Sequence, residues 1–169
     1  ITSGGDELYR KDDGERPRIG DIRIYGAMDG EPLWIDRKDA PGTIRKGLET
    51  IETSYDEVNS LALIDGELGY IGHEARDGYT VADAIVIGGE VVADVEGTVY
   101  GLTDVNGDAA YVESSNDGDT VVYQGNRFGG EYTTRSRGGV GDISELDDAL
   151  GFVATVAESK MENPDHEQE

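Results

Sequence analysis

The segment Asp104-Val105-Asn106-Gly107-Asp108 sets oxygen-bearing side chains at the first, third and fifth places of a loop. That is the spacing with which a calcium loop starts. Ca2+ or another hard cation is the ligand that Asp104, Asn106 and Asp108 would take. The pattern then departs, with Ala109 at the sixth place instead of Gly and Ser115 at the twelfth instead of Glu. Asn106-Gly107 is also the strongest two-residue hairpin signal, so a turn explains the same residues without a cation. Asn116-Asp117-Gly118-Asp119 reads first as a turn for the same reason. A second chemistry is glycoside hydrolysis by a carboxylate pair. The 37 Asp and Glu allow many pairs, and no spacing marks one of them out. The two histidines are His73, inside a strand-like run, and His166, close to the C-terminal end. Neither is accompanied by a G-x-S-x-G nucleophile turn. G-x-x-x-x-G-K-[ST] and H-E-x-x-H are also missing. The glycines of Gly66 to Gly72 lie in a hairpin, not at the strand-to-helix turn that cradles phosphate. The sequence therefore designates no catalytic residue and no cofactor-binding residue.

The elements that would carry these residues repeat. Asp29-Gly-Glu-Pro-Leu-Trp34-Ile35, Asp65-Gly-Glu-Leu-Gly-Tyr70-Ile71, Asn106-Gly-Asp-Ala-Ala-Tyr111-Val112 and Asp147-Asp-Ala-Leu-Gly-Phe152-Val153 share one pattern. Each has a turn pair, an acidic or small residue, two small or apolar residues, an aromatic and a β-branched residue. The aromatics Trp34, Tyr70, Tyr111 and Phe152 are spaced by 36, 41 and 41 residues. A second mark, Gly47, Gly89 and Gly130, precedes the last three aromatics by 23, 22 and 22 residues. Equal position in each unit predicts that the four aromatics pack between neighbouring units. Stacking platforms for sugars are the alternative use of such rings.

One unit predicts four short strands. Residues 60–64 run to the Asp65-Gly66 turn, and 68–74 return. Residues 81–87 follow a turn at 76–78, and 90–95 follow Gly88-Gly89. The next unit predicts strands at 99–102, 110–113, 120–123 and 131–134, the last after a Gly129-Gly130 turn. The first unit departs, with Pro41 and a helix-tolerant run at 44–51, which predicts a distorted repeat. Four strands per ~40 residues, with aromatic and glycine marks in phase, is the pattern of a propeller blade. The last unit lacks its outer half. Thr2-Ser-Gly4-Gly5-Asp-Glu-Leu-Tyr9 matches Gly88-Gly89-Glu90-Val91 and Gly129-Gly130-Glu131-Tyr132, so residues 1–18 are expected to complete the last blade.

These residues, chiefly Ile64 to Ile71 and Asp104 to Val112 with their Gly-Gly followers, resemble the repeats of microbial β-propeller-like proteins. Their units read roughly "DGKLAYVA…DG…VVYDG…GKEYD". The resemblance covers residues 20–156. It implies an all-β, propeller-like fold of about four repeats of four antiparallel strands. It implies no reaction, since propellers host many unrelated functions. A β-sandwich is the alternative architecture.

Composition bounds the rest. The chain has 169 residues, suited to a single β-repeat domain over 1–156 with a flexible acidic tail over 157–169. It has no Cys, which excludes disulfides and thiol chemistry. A net charge of -23 repels phosphate backbones, so nucleic acid is not an expected partner. Apolar runs fall far short of the ~20 residues of a membrane-spanning helix. Acid is spread along the chain, and Lys is scarce. This resembles proteins of salt-loving microbes, where molar salt screens self-repulsion. The chain starts at Ile1, which reads as a processed form or an excised piece of a larger protein. An extracellular or cell-surface setting is favoured over the cytoplasm. The expected function is a non-enzymatic binding or structural module with a protein or glycan partner. A carbohydrate-active enzyme using an Asp/Glu pair is the alternative.

Overall fold

The computed structural model describes residues 2–3, 6–7, 22–36, 40–76, 80–115, 118–129, 139–146 and 149–154. These are all-β, with no helix among them. Hairpin turns set the architecture. Asp29-Gly30, Asp65-Gly66 and Asn106-Gly107 all have positive φ at both residues, the two-residue type I′ geometry that Asp-Gly and Asn-Gly favour. Each joins the first two strands of a four-stranded meander.

The first meander is β3 (Ile22–Met28), β4 (Glu31–Asp36), β5 (Ala40–Lys46) and β6 (Glu49–Glu52). The second is β7 (Glu57–Ile64), β8 (Glu67–Arg76), β9 (Thr80–Ile87) and β10 (Glu90–Glu96). The third is β11 (Thr98–Val105), β12 (Asp108–Ser115), β13 (Gly118–Tyr123) and β14 (Asn126–Gly129). In each, neighbours in sequence are neighbours in the sheet, all antiparallel. A fourth unit has two described strands, β15 (Val140–Leu146) and β16 (Ala149–Ala154). Near the N-terminus β1 (Thr2–Ser3) and β2 (Asp6–Glu7) pair with each other in a sheet of their own.

The register repeats. Trp34, Tyr70 and Tyr111 stand opposite Arg45, Val86 and Val122, each next to last on its third strand. The first strand of all four units shifts register, at Ile24/Gly26, Val58/Ser60, Tyr100/Thr103 and Val140/Ile143. Such bulges bend a strand and increase its twist.

The sheets stack in sequence order. β7 lies across β3, β4 and β5; β11 lies across β7, β8 and β9; β15 lies across β11, β12 and β13. A separate apolar core fills each gap. Leu33, Ile35 and Ile44 meet Val58 and Leu61, with Tyr70 against them. Ile71 and Ile85 meet Val99 and Leu102, with Tyr111 against them. Val112 and Val121 meet Val140. Fully burying one such Ile contributes about 2 kcal/mol. β7 and β11 are buried at every third position, whereas β6, β10 and β14 are mostly exposed.

Two sequence expectations are corrected. The run at 44–51 is strand, turn and strand, not helix, because Gly47 takes positive φ and closes a hairpin in which Lys46 pairs with Glu49. Among the described residues the first sheet departs from the others at the register shift between Ile35 and Asp36, beyond the first-strand bulge that all four units share. In the third unit the last turn is Gln124-Gly125, both at positive φ, and the fourth strand is Asn126–Gly129. The expected 131–134 strand lies outside the described residues, as do Gly130, the Asp147-Asp148 turn and the 157–169 tail. The in-phase glycines are accordingly Gly47 and Gly88. Their amides donate to Pro32 O and Leu68 O, each two residues before the aromatic.

Candidate functional site

The polar residues with the most distinctive surroundings lie at the joints between sheets. Asp119, three residues before Val122, is buried on β13. Its Oδ2 accepts from the Val140 amide at 3.1 Å and from the Tyr100 hydroxyl at 2.7 Å. That hydroxyl also lies 3.0 Å from Val140 O. The carboxylate thus satisfies the amide of the residue that starts the fourth sheet, and the single phenol proton is shared between that carboxylate and the same residue's carbonyl. Burial, followed by the Asp119 carboxylate, pushes the Tyr100 hydroxyl well above its ordinary pKa.

Asp83, three residues before Val86, occupies the equivalent place on β9 and is fully buried. Its Oδ2 accepts from the Val99 amide at 2.5 Å. Val99 is the second residue of the third sheet's first strand, and Val140 is the first of the fourth's. The neighbours differ. His73 stands opposite Asp83 across the β8–β9 ladder, and its Nδ1 lies against Asp83 Oδ1. Oδ1 has no other polar partner among the described residues. Asn59 Nδ2 lies 3.4 Å from the same ring nitrogen, and Glu57 pairs with His73 in the ladder. Asn59 and His73 replace the Tyr100 and Ser114 of the next unit. Burial raises the Asp83 pKa. The Val99 amide and the His73 ring lower it, and Glu57 raises it again.

A His–Asp pair is the orienting half of a hydrolytic triad. Among the described residues no hydroxyl hydrogen-bonds to the His73 ring, whose partners are Asp83 and Asn59. Its position explains it instead, since it balances a buried carboxylate that holds the next sheet.

The candidate cation residues serve similar ends. Asp104 Oδ2 accepts from the Asp65 amide at 2.8 Å, and Oδ1 from the Gly107 amide at 2.9 Å. The Asn106 amide donates to Glu145 Oε2 at 3.1 Å, linking the third unit to the fourth as Asp65 links the second to the third. Asp108 Oδ2 accepts from Gln124 Nε2 at 2.6 Å. The Asp104 and Asp108 carboxylates therefore face different partners. Among the described residues no three His, Cys, Asp or Glu side chains gather as a metal site would require.

Of the four aromatics, Trp34 is 3% exposed and its Nε1 lies 3.4 Å from Gly47 O. Tyr70 and Tyr111 are half-buried against the first and second cores. Phe152 is 38% exposed. A shallow apolar pocket of about 220 Å³ opens between the first two sheets, lined by Tyr25, Gly26, Ala27, Leu33, Leu61, Ala62 and Leu63. It is smaller than a typical ligand cleft of ~300 Å³ or more.

Sequence reasoning treated His73 as an ordinary strand residue and passed over Asp83. The signal was an acid inside the apolar run 81–87, and another ahead of the apolar run 120–123. A carboxylate on a central strand needs a buried donor. Comparison with protein-family models, curated proteins and solved structures finds no match to this chain.

Proposed function

We propose that the chain is a non-enzymatic binding or structural module of a salt-adapted microbe, belonging to a larger surface or secreted protein. In this reading its sheets stand as the blades of a β-propeller-like repeat. The observation that carries it is the same carboxylate-to-amide bond at two successive joints, Asp83 to Val99 and Asp119 to Val140. The buried acids are used to lock one sheet to the next rather than to converge on a substrate. Stacking in sequence order, with a separate apolar core between each pair of neighbouring sheets, supports blades over a sandwich. A sandwich packs whole sheet faces around one shared core.

The exposed fourth strands present Val91, Val92 and Phe128, apolar contacts for a protein or glycan partner. The test pairs a glycan array with a panel of chromogenic glycosides, both in ~2 M KCl, where surface charge is screened. Saturable retention of one glycan class without turnover is the expected result. Turnover abolished by removing a single carboxylate would replace this reading with the glycosidase one.

A further inference from the structure

The first three units spell the same turn as Asp29-Gly30, Asp65-Gly66 and Asn106-Gly107. The first residue of each has φ of 53°, 48° and 54°, so an acid fits this backbone as well as an amide does. Asn followed by Gly has a chemistry of its own. With no side chain on the glycine, its nitrogen approaches the preceding amide carbon unhindered. The Gly107 nitrogen loses its proton and bonds to Asn106 Cγ. The Cγ–Nδ2 bond breaks, and Nδ2 leaves as ammonia with a proton. Water then opens the resulting succinimide at either carbonyl. One opening leaves aspartate at position 106. The other leaves isoaspartate, with the main chain routed through the side-chain carbon.

The fold opposes each step. Asn106 is exposed, so water reaches it. Its φ of 54° is left-handed, a conformation that turns the next nitrogen away from the side chain. The Gly107 N–H donates to Asp104 Oδ1 at 2.9 Å. A proton held by a carboxylate is hard to remove, and the neighbouring charge disfavours the amide anion. Asp104 Oδ2 also accepts from the Asp65 amide of the preceding unit at 2.8 Å. The Asn106 amide donates to Glu145 Oε2 of the following unit at 3.1 Å. The turn is thus tied to both neighbours, and opening it breaks those ties.

We infer that Asn106 is a site of spontaneous deamidation, with water as the co-reactant, and that Asp104 keeps it closed while the sheets are stacked. The aspartate product matches the turns of the first two units. The isoaspartate product lengthens the backbone of a two-residue turn and disturbs the pairing of Val105 with Asp108. Both products add a charge to a turn already tied to two carboxylates. Conversion at Asn106 therefore records how often the turn has opened, and loosens it further.

The full chain is incubated at mildly alkaline pH in ~2 M KCl, where charge is screened. Peptide mass spectrometry follows the amide-to-acid conversion at position 106, and electron-transfer fragmentation separates the two products. Folded wild type, Asp104→Ala and Asp108→Ala are compared, with wild type in guanidinium as the unfolded reference. Rates are taken on variants whose circular dichroism matches that of the wild type. Asp108→Ala removes the same charge from the other flank of the turn, where the carboxylate accepts from Gln124. Loss of a bond to a charged acceptor raises the open population about tenfold or more, so Asp104→Ala should convert about tenfold faster than folded wild type. Asp108→Ala should keep the wild-type rate, and the unfolded reference should be fastest. Equal rates in folded and unfolded wild type would overturn the inference. Equal acceleration in the two variants would also overturn it, by assigning the effect to charge instead of the hydrogen bond. Hydrogen exchange at the wild-type Gly107 amide reads that bond without a substitution. Protection is expected, and exchange as fast as in the unfolded chain contradicts the role of Asp104.

Discussion

Asp83 is the residue on which the electrostatics turn. Its carboxyl is raised by burial, so the folded chain holds that proton more tightly than the unfolded chain, whose value is ~3.9. The resulting stabilisation is full below that value and is lost as pH rises through the folded value. Asp83→Asn removes the titration while its amide oxygen still accepts from Val99. In ~2 M KCl, where surface charge is screened, the wild type should lose more stability between pH ~4 and ~7 than Asp83→Asn does. Equal slopes in the two proteins would remove Asp83 from the account. Asp83→Ala differs, because the Val99 amide is then orphaned in a cavity. A cost of about 2–4 kcal/mol is expected in denaturant titrations. Tyr100→Phe tests the other joint. Loss of the hydroxyl to Asp119 should cost about 1–2 kcal/mol by the same measurement. His73 was hard to read because its partner is ten residues away, on the next strand. Only the register of β8 on β9 brings the two together. The Asp104 trio was easy to see and its use was hidden. One of the amides that fill its oxygens, that of Asp65, comes from the neighbouring unit, 39 residues away.

At the scale of elements, the turns and the period are local and were legible. Asp-Gly and Asn-Gly specify their own backbone, so Asp29-Gly30, Asp65-Gly66 and Asn106-Gly107 sit where the spelling puts them. The last turn of the third unit was not legible, because Gln124 at positive φ carries no such signature and Gly129-Gly130 outshone it. The connection between the first and second sheets depends on close approach. Tyr55 lays its ring directly on Gly72 and meets Tyr70 edge-on, with centroids 6.2 Å apart. Thr53 Oγ1 donates to Gly42 O at 2.6 Å, and the Asp56 amide donates to His73 O at 3.0 Å. A methyl at residue 72 has no room. Gly72→Ala should destabilise by about 1–3 kcal/mol, as overpacking does. Gly89→Ala meets no neighbouring atom and should cost only the ~1 kcal/mol of its positive φ. Thermal melts of the two variants separate the effects, and equal losses would mean that Tyr55 does not hold this joint.

For the whole molecule, charge and stacking set the behaviour. A net charge of -23 with four Lys leaves carboxylates repelling across the surface at low ionic strength. Stability should rise by a few kcal/mol between ~0.05 M and ~2 M KCl. A melting midpoint that does not move would show the charges already paired or well separated, and would withdraw the salt-adaptation reading. The stack is the central claim, and nuclear Overhauser contacts from the tyrosine rings to assigned methyl groups test it most directly. In a sequential stack each ring sees its own core. Tyr70 should contact methyls of the Leu33, Ile35, Val58 and Leu61 set, and Tyr111 those of the Ile64, Ile85, Val99 and Leu102 set. Two separate contact sets are the predicted result. Contacts from both rings to one shared set of methyls would place the sheets around a single core, as in a sandwich, and would contradict the account.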